Sequence, residues 1–416
     1  MFNPEHDMAL ASFSPHYKAP TEIIRMRDDL AALPAWYALH NGLVGVCSFD
    51  YIENFCLQCV PEGVVPYGRC VVNTQIREWM LKDKLVGRTT KTVGLDADST
   101  QEPPATIYTF APWGWDPSLC QALKREGIGE EFLPDELRLQ QIRCLSGRQQ
   151  CVKVLNDFEK IPQTCGKAQV CTTMNEVTDF LSSVPDVILK APWSGSGRGL
   201  ARTSVGTWTA NLQGWVSRIL RTQGAVMAEP IYNKVCDFAM EFECSIHHNL
   251  SFVGYSLFET DSHGNYKENL LASNANIIEQ LTRFVPLELL EQVKKQLLHS
   301  LTNLLSTNYV GFFGVDMMIC EEEKKFVVHP CVEINLRMNM GVVARLFYDR
   351  YVDDESEGSY VVEHYSADGE AVEHDTQLRR LHPVRVVANK LVEGYFPLTP
   401  VMPNTRYQCY VILHRR

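Results

Sequence analysis

Two stretches of this 416-residue chain carry residue types that handle phosphate and metal. The first is Val187-Ile188-Leu189-Lys190-Ala191-Pro192-Trp193-Ser194-Gly195-Ser196-Gly197-Arg198-Gly199-Leu200. A β-prone run ends in Lys190, whose ammonium can project from a sheet toward a phosphate. Ser194, Gly195, Ser196 and Gly197 then bring backbone N–H groups close to anionic oxygens with no Cβ in the way. Arg198 adds a fixed positive charge. The lysine precedes the glycines, so this is not a Walker A loop, and Leu200 stands where GxGxxG needs its last glycine. A flexible surface turn between two strands explains the stretch alone about equally well.

The second stretch is split between Gly314-Val315-Asp316-Met317-Met318 and Cys331-Val332-Glu333-Ile334-Asn335-Leu336-Arg337. Glu333 and Asn335 are two apart, so a strand places a carboxylate and an amide oxygen on one face, where they can share a hard cation. Val332 and Ile334 then point to the core. Asp316 lies in another apolar run, and a buried carboxylate needs a partner. Cys320-Glu321-Glu322-Glu323-Lys324-Lys325 is a charged, hairpin-length link, so antiparallel pairing would bring Asp316 near Glu333. Arg337 continues the alternation and can neutralise a phosphoryl or carboxylate group there. A structural Asp316–Arg337 ion pair is the rival explanation. Pro330 points to an edge strand or a bulge.

Three units would position these residues. Residues 1–145 read as an N-terminal α/β domain, with apolar runs such as Leu43 to Cys47 and Thr106 to Phe110. In it Asp116 caps a helix from Pro117 to Arg125, with Gly127 beyond its end. Residues 146–233 alternate helix and strand: a helix at about 148–158, a strand, a helix at about 175–181, then the strand ending in Lys190. Residues 234–416 hold apolar strands and an amphipathic helix from about 287 to 305, where Leu290, Val293, Leu297, Leu301 and Leu304 recur at helical spacing. The acidic stretch 353–379 reads as an exposed, mobile insertion, with Ala367-Asp368-Gly369 as a hairpin turn.

Composition narrows the function class. The formal net charge of −11 argues against nucleic acid or an anionic membrane surface as the main partner. No apolar run reaches the roughly 18 residues of a membrane helix, and Met1 to Asp7 lacks the features of a signal peptide. A cytoplasmic enzyme is the expectation. Most of the fourteen cysteines sit singly in apolar runs. The one CxxC, Cys56 to Cys59, lacks partners at zinc spacing and reads as two reduced thiols.

Taken as a set, these residues resemble the ATP-grasp superfamily, which includes biotin carboxylase and D-alanine–D-alanine ligase. The likeness covers residues 146–345 in family order and fades before 145. It implies an α/β (α+β) chain in which two α+β subdomains follow an N-terminal α/β domain. Lys190 through Gly199 resembles the family's lysine and flexible loop on the small lid subdomain. Asp316, Glu333 and Asn335 fall where the family holds magnesium (manganese is an alternative), and Arg337 would stabilise the phosphorylated intermediate. Val226-Met227-Ala228-Glu229-Pro230-Ile231 resembles the hinge, with Glu229 toward the adenine amino group and the backbone near Pro230 and Ile231 along the ring edge. Asp237 would contact ribose. Arg148 stands in the place of the family's first phosphate lysine.

The implied activity is an ADP-forming ligase that joins a small-molecule or peptide carboxylate to an amine (or thiol) through an acyl phosphate. A kinase and a catalytically silent ATP-binding module are the alternatives, and a homodimer is compatible with each. For the substrates, Glu5, His6 and Asp7 are candidate amine ligands, although acidic clusters are more often solvated. Arg345 and Arg385 are candidate carboxylate ligands. Pro112 to Trp115 fits domain packing better than an aromatic substrate wall.

Overall fold

The structure, a computed structural model, describes residues 1–40, 42–73, 75, 110–194, 199–260 and 266–416. The expected run Thr106 to Phe110 falls almost wholly outside them. Near the N-terminus, the helix His6–Ser12 precedes a parallel pair, β1 (Gly42–Val46) and β2 (Gly68–Val72), joined through the helix Phe49–Cys59. Asp116 caps Pro117–Arg125 as expected, its Oδ1 accepting from Ser118 N and Leu119 N, each at 2.9 Å. Trp113 is buried against Phe2, and its carbonyl accepts from Met338 N at 2.9 Å. Packing, not a substrate wall, is therefore what Trp113 does.

A four-stranded antiparallel sheet follows, built from β3 (Gln169–Cys171), β4 (Asp186–Lys190), β5 (Leu200–Ser204) and β6 (Val226–Pro230) in the order β3-β6-β4-β5. Helices Met174–Ser183 and Ala210–Gln223 cover it and enclose their own core around Val177, Leu189, Val216 and Val226. Thr173 and Glu176 form a reciprocal cap at the first helix, and left-handed Gly224 ends the second.

The remaining strands form one nine-stranded sheet. They are β7 (Lys234–Cys244), β8 (Leu250–Thr260), β9 (Tyr266–Leu271), β10 (Gly311–Glu322), β11 (Lys325–Asn335), β12 (Ser356–His364), β13 (Arg385–Val387), β14 (Lys390–Pro397) and β15 (Tyr407–Arg415). Their order is β11-β10-β7-β8-β9-β12-β15-β14-β13, all antiparallel. One face of β7 and β10 is apolar: Phe238, Met240, Phe242, Phe313, Val315, Met317 and Ile319 pack with the helix Leu287–Leu305. In that helix Leu290, Val293, Leu297 and Leu301 are fully buried, which is the stripe its spacing predicts. The alternate residues of the same strands form the other face, and the candidate chemistry lies there.

Two expectations are corrected. The acidic stretch 353–379 is not an exposed insertion, because β12 pairs on both sides, with β9 and with β15, and buries Tyr360 completely. Most of its acids misled because they lie on the solvent side of the following helix, Glu370–Leu381, and at the strand rim, whereas Asp375 is buried and accepts from Tyr395 Oη at 2.7 Å. Gly358 also has to be glycine, since a Cβ would sit 1.8 Å from Ile412 O. Gly369 makes no hairpin. Its φ of 89° turns the chain from strand into that helix.

Candidate active site

The hairpin β10–β11 sets the geometry. Glu323 and Lys324 take left-handed conformations at its turn, and the register puts Asp316 directly opposite Glu333 and Gly314 opposite Asn335. Directly opposed residues share a face, so Asp316, Glu333 and Asn335 converge as their spacing predicted. Ile334 packs into the core on the reverse face, whereas Val332 is only half-buried. β11 is an edge strand, and its register slips beside Pro330, where Met318 pairs with His329. That slip is the bulge the proline announced.

Three cationic side chains reach this face from three elements. Arg148, the residue just before the helix Gln149–Asn156, donates from Nη2 to both Glu333 oxygens at 2.8 and 2.9 Å. Its Nη1 donates to Ala191 O at 2.7 Å and Ser194 Oγ at 2.6 Å, which ties it to the lysine loop. Lys190, ending β4, pairs with Glu229 on β6 at 2.5 Å, and both side chains are 7% exposed. Lys190 Nζ also donates to Val332 O at 3.4 Å. Arg337 does not pair with Asp316. It forks onto Asp7 of the N-terminal helix, with Nε at 3.0 Å from each oxygen and Nη2 at 2.7 Å from Oδ2, and it donates from Nη2 to Asn335 Oδ1 at 3.1 Å.

The base of the lysine loop is closed by Ala191 N donating to Gly199 O at 2.9 Å. Gly199 takes a φ of 70°, and a Cβ there would stand 2.7 Å from that of Ser194. Gly195, Ser196, Gly197 and Arg198 lie outside the described residues. Pro230 and Ile231 follow Glu229 at the end of β6, with the Ile231 N–H donating to Asp186 O at 2.9 Å. Asp237 shares the polar face of β7 and is held by Lys234 and by Thr260 Oγ1. Arg345 and Arg385 are elsewhere. Arg345 is buried against Asp349 and Ala272 O, and Arg385 pairs with Glu393 at the far sheet edge.

Electrostatics mark the floor of this face. Burial, then the charge of Glu333, pushes the Asp316 carboxyl up to about 7, although Asn335 Nδ2 donates to it at 2.9 Å. Glu241, opposite Gly314 on β7, went unnoticed in the sequence. Burial pushes it up to about 8 against the single Asn339 Nδ2 hydrogen bond at 3.0 Å. The alternation Asp237-Phe238-Ala239-Met240-Glu241 was the available signal, since it puts Glu241 on the acid face. His329 was also missed. It is fully buried, and burial followed by the Lys190 charge lowers it to about 3.

The donors fit a hard divalent cation. Asp316, Glu333 and Asn335 can offer oxygen ligands, and a half-buried carboxyl pushed up to about 7 is one that lacks a positive neighbour of sufficient charge. Beside them, His6, Asp7, Ser146, Trp193, Ser194 and Arg337 help to line a narrow cleft open to solvent.

No family model and no curated protein matches the chain. Solved structures do. The biotin carboxylase domain of the Hydrogenobacter thermophilus 2-oxoglutarate carboxylase, solved with MgADP, ADP and bicarbonate, superposes with a TM-score of 0.51 at 10% identity, over 94% of this chain and 84% of that one. The N5-carboxyaminoimidazole synthetase of Staphylococcus aureus gives 0.46 at 10% identity, over 93% and 90%. The Campylobacter jejuni biotin carboxylase gives 0.42 at 10% identity, over 66% and 64%. The fold of this chain is thus the mixed α/β, ATP-grasp architecture that its motifs resembled. No helix among the described residues is long and apolar enough to cross a membrane.

Proposed function

We propose that the chain is an ATP-dependent, ADP-forming ligase that activates a carboxylate as an acyl phosphate and passes it to an amine (or thiol). The observation that carries this reading is the single sheet face on which Asp316, Glu333 and Asn335 converge with Arg337, while Arg148 and Lys190 reach it from the opposing elements. A silent binder has little use for two facing carboxylates and three cations gathered around one sheet face.

In this reading Lys190, Arg148 and the loop Ser194 to Gly199 hold the ATP phosphates. Glu229 and the backbone at Pro230 and Ile231 frame the adenine, and Asp237 takes the ribose. Asp316, Glu333 and Asn335 hold magnesium, which when bound neutralises charge on the transferred phosphoryl group. Arg148 would exchange Glu333 for phosphate once that carboxylate has a metal to face. Arg337, held on two sides by Asn335 and Met338 O, orients the acid and then the acyl phosphate. The segment 165–230 acts as the lid that keeps water from the intermediate.

The test is hydroxylamine trapping with Mg-ATP across carboxylic acids, amino acids and short peptides, comparing the native protein with Glu333→Ala. A hydroxamate lost in the variant supports the ligase. ADP release that needs an alcohol acceptor and yields no hydroxamate replaces it with a kinase. Turnover in Glu333→Ala within tenfold of native removes the metal assignment.

A further inference from the structure

The end of the cleft away from Lys190 is walled by the N-terminal helix, which brings a carboxylate to Arg337 from 330 residues away. Among the described residues, Asp7 is the one charged group that hydrogen-bonds to Arg337; its other hydrogen-bond partners there are Asn335 Oδ1 and Met338 O. Both members of the pair line the cleft, with side chains 15% and 21% exposed. A group entering there must therefore deal with both charges. Next to Asp7, the ring of His6 also lines the cleft and is 1% exposed, and among the described residues neither nitrogen makes a hydrogen bond of good geometry. Nδ1 lies 3.9 Å from Asp116 Oδ2. A buried ring with unpartnered nitrogens at a cleft wall is a group kept for something that enters.

We propose that this end of the cleft is a subsite for a zwitterionic α-amino acid, whose carboxylate takes Arg337 and whose ammonium takes Asp7. The proposal deepens the ligase reading and rests on it. A simple carboxylate that displaced Asp7 from Arg337 would strand Asp7 in an acidic wall that already contains Glu333. The other cation near Asp7 is Arg148, which pairs with Glu333 here and would turn to the ATP phosphates in the reacting complex, so it is not free for Asp7 in either state. A zwitterion exchanges one internal ion pair for two external ones and leaves no charge unmatched. Burial outweighs the pull of Asp7 and Asp116 and holds His6 below its ordinary value, so the ring is neutral and one nitrogen can accept from the ammonium.

The chemistry balances. A carboxylate oxygen of the amino acid attacks the γ-phosphorus, the bond to the β,γ-bridging oxygen breaks, and ADP leaves with that electron pair. The carboxylate has no proton to lose. The ion pair with Asp7 keeps the α-nitrogen protonated, so it does not act as a nucleophile in place of the acceptor amine. A separate amine then forms the C–N bond, expels inorganic phosphate and gives up its proton to solvent.

The experiment takes the full chain with Mg-ATP and hydroxylamine through three matched panels: free α-amino acids, their N-acetyl derivatives, and the same acids lacking the α-nitrogen. The expected result is hydroxamate from one or more free amino acids, with their counterparts lower by on the order of a hundredfold. Asp7→Asn should shrink that discrimination to less than about tenfold. Equal rates across the panels in the native protein, which needs no variant to fold, overturn the proposal and leave the ligase standing, as does undiminished discrimination in Asp7→Asn. If no acid gives hydroxamate, the ligase reading fails instead. The subsite is then judged by melting temperature with adenylyl imidodiphosphate, magnesium and the same panels. A rise with free amino acids alone supports it, and no such rise overturns it.

Discussion

Replacing Asp316 by asparagine should make the metal-free protein more stable above neutral pH, although it removes a metal ligand. Burial and Glu333 hold the native carboxyl near 7, against an ordinary value of 3.8. An acid whose pKa is raised on folding keeps its full contribution below the unfolded value, and that contribution is lost as pH rises through the folded value. The window is therefore about pH 4 to 7, and at 1.36 kcal/mol per unit the whole loss is about 4 kcal/mol. Between pH 5 and 8 the share of this residue is about 3 kcal/mol. Asparagine retains an oxygen for the Asn335 Nδ2 hydrogen bond and carries no charge to titrate. The assay is urea unfolding with chelator at pH 5 and pH 8. The native protein should lose about 3 kcal/mol more than Asp316→Asn across that interval. Glu241, pushed up to about 8, adds a loss of its own at least as large, which is common to both proteins and cancels in the comparison. Saturating magnesium at pH 8 should restore the native protein by about 3 kcal/mol at a hundredfold excess over Kd and leave the variant nearly unmoved. Parallel losses in the two proteins would refute the placement of a half-buried, cation-starved carboxyl at Asp316.

Two further outcomes test the geometry around it. Lys190→Met and Glu229→Gln should each cost about 3 kcal/mol, because each strands a buried charge, while the double variant costs less than their sum; additive losses in a double-mutant cycle would mean that the pair is not coupled. Gly341→Ala should destabilise by about 1–3 kcal/mol, since its Cβ would meet Glu241 Oε1 at 2.1 Å and Ser256 Oγ at 2.6 Å. Glu241→Ala should partly rescue it, and thermal melts of the three variants decide the point.

Much of the architecture was legible because it follows from local rules. Asp116 with Pro117, the leucine stripe of residues 287–305 and the charged turn at 320–325 each depend on spacing within a few residues, and each formed where expected. The acidic stretch 353–379 was misread because net charge does not tell which face of a strand is covered. β12 is an inner strand only because β9 and β15, from 85 residues before it and 43 after it, close on both sides.

The sequence by itself determined which residues form the acid face. Period-two alternation puts Glu333 and Asn335 together, and a short hairpin leaves Asp316 little choice of partner. Only the tertiary structure decided the charge partners. Arg148 meets Glu333 across 185 residues, Lys190 turns to Glu229, and Arg337 takes Asp7 from the far end of the chain instead of Asp316. Ion pairing is non-local: a guanidinium selects whichever carboxylate packing brings within about 3 Å, and the chain order does not encode that distance.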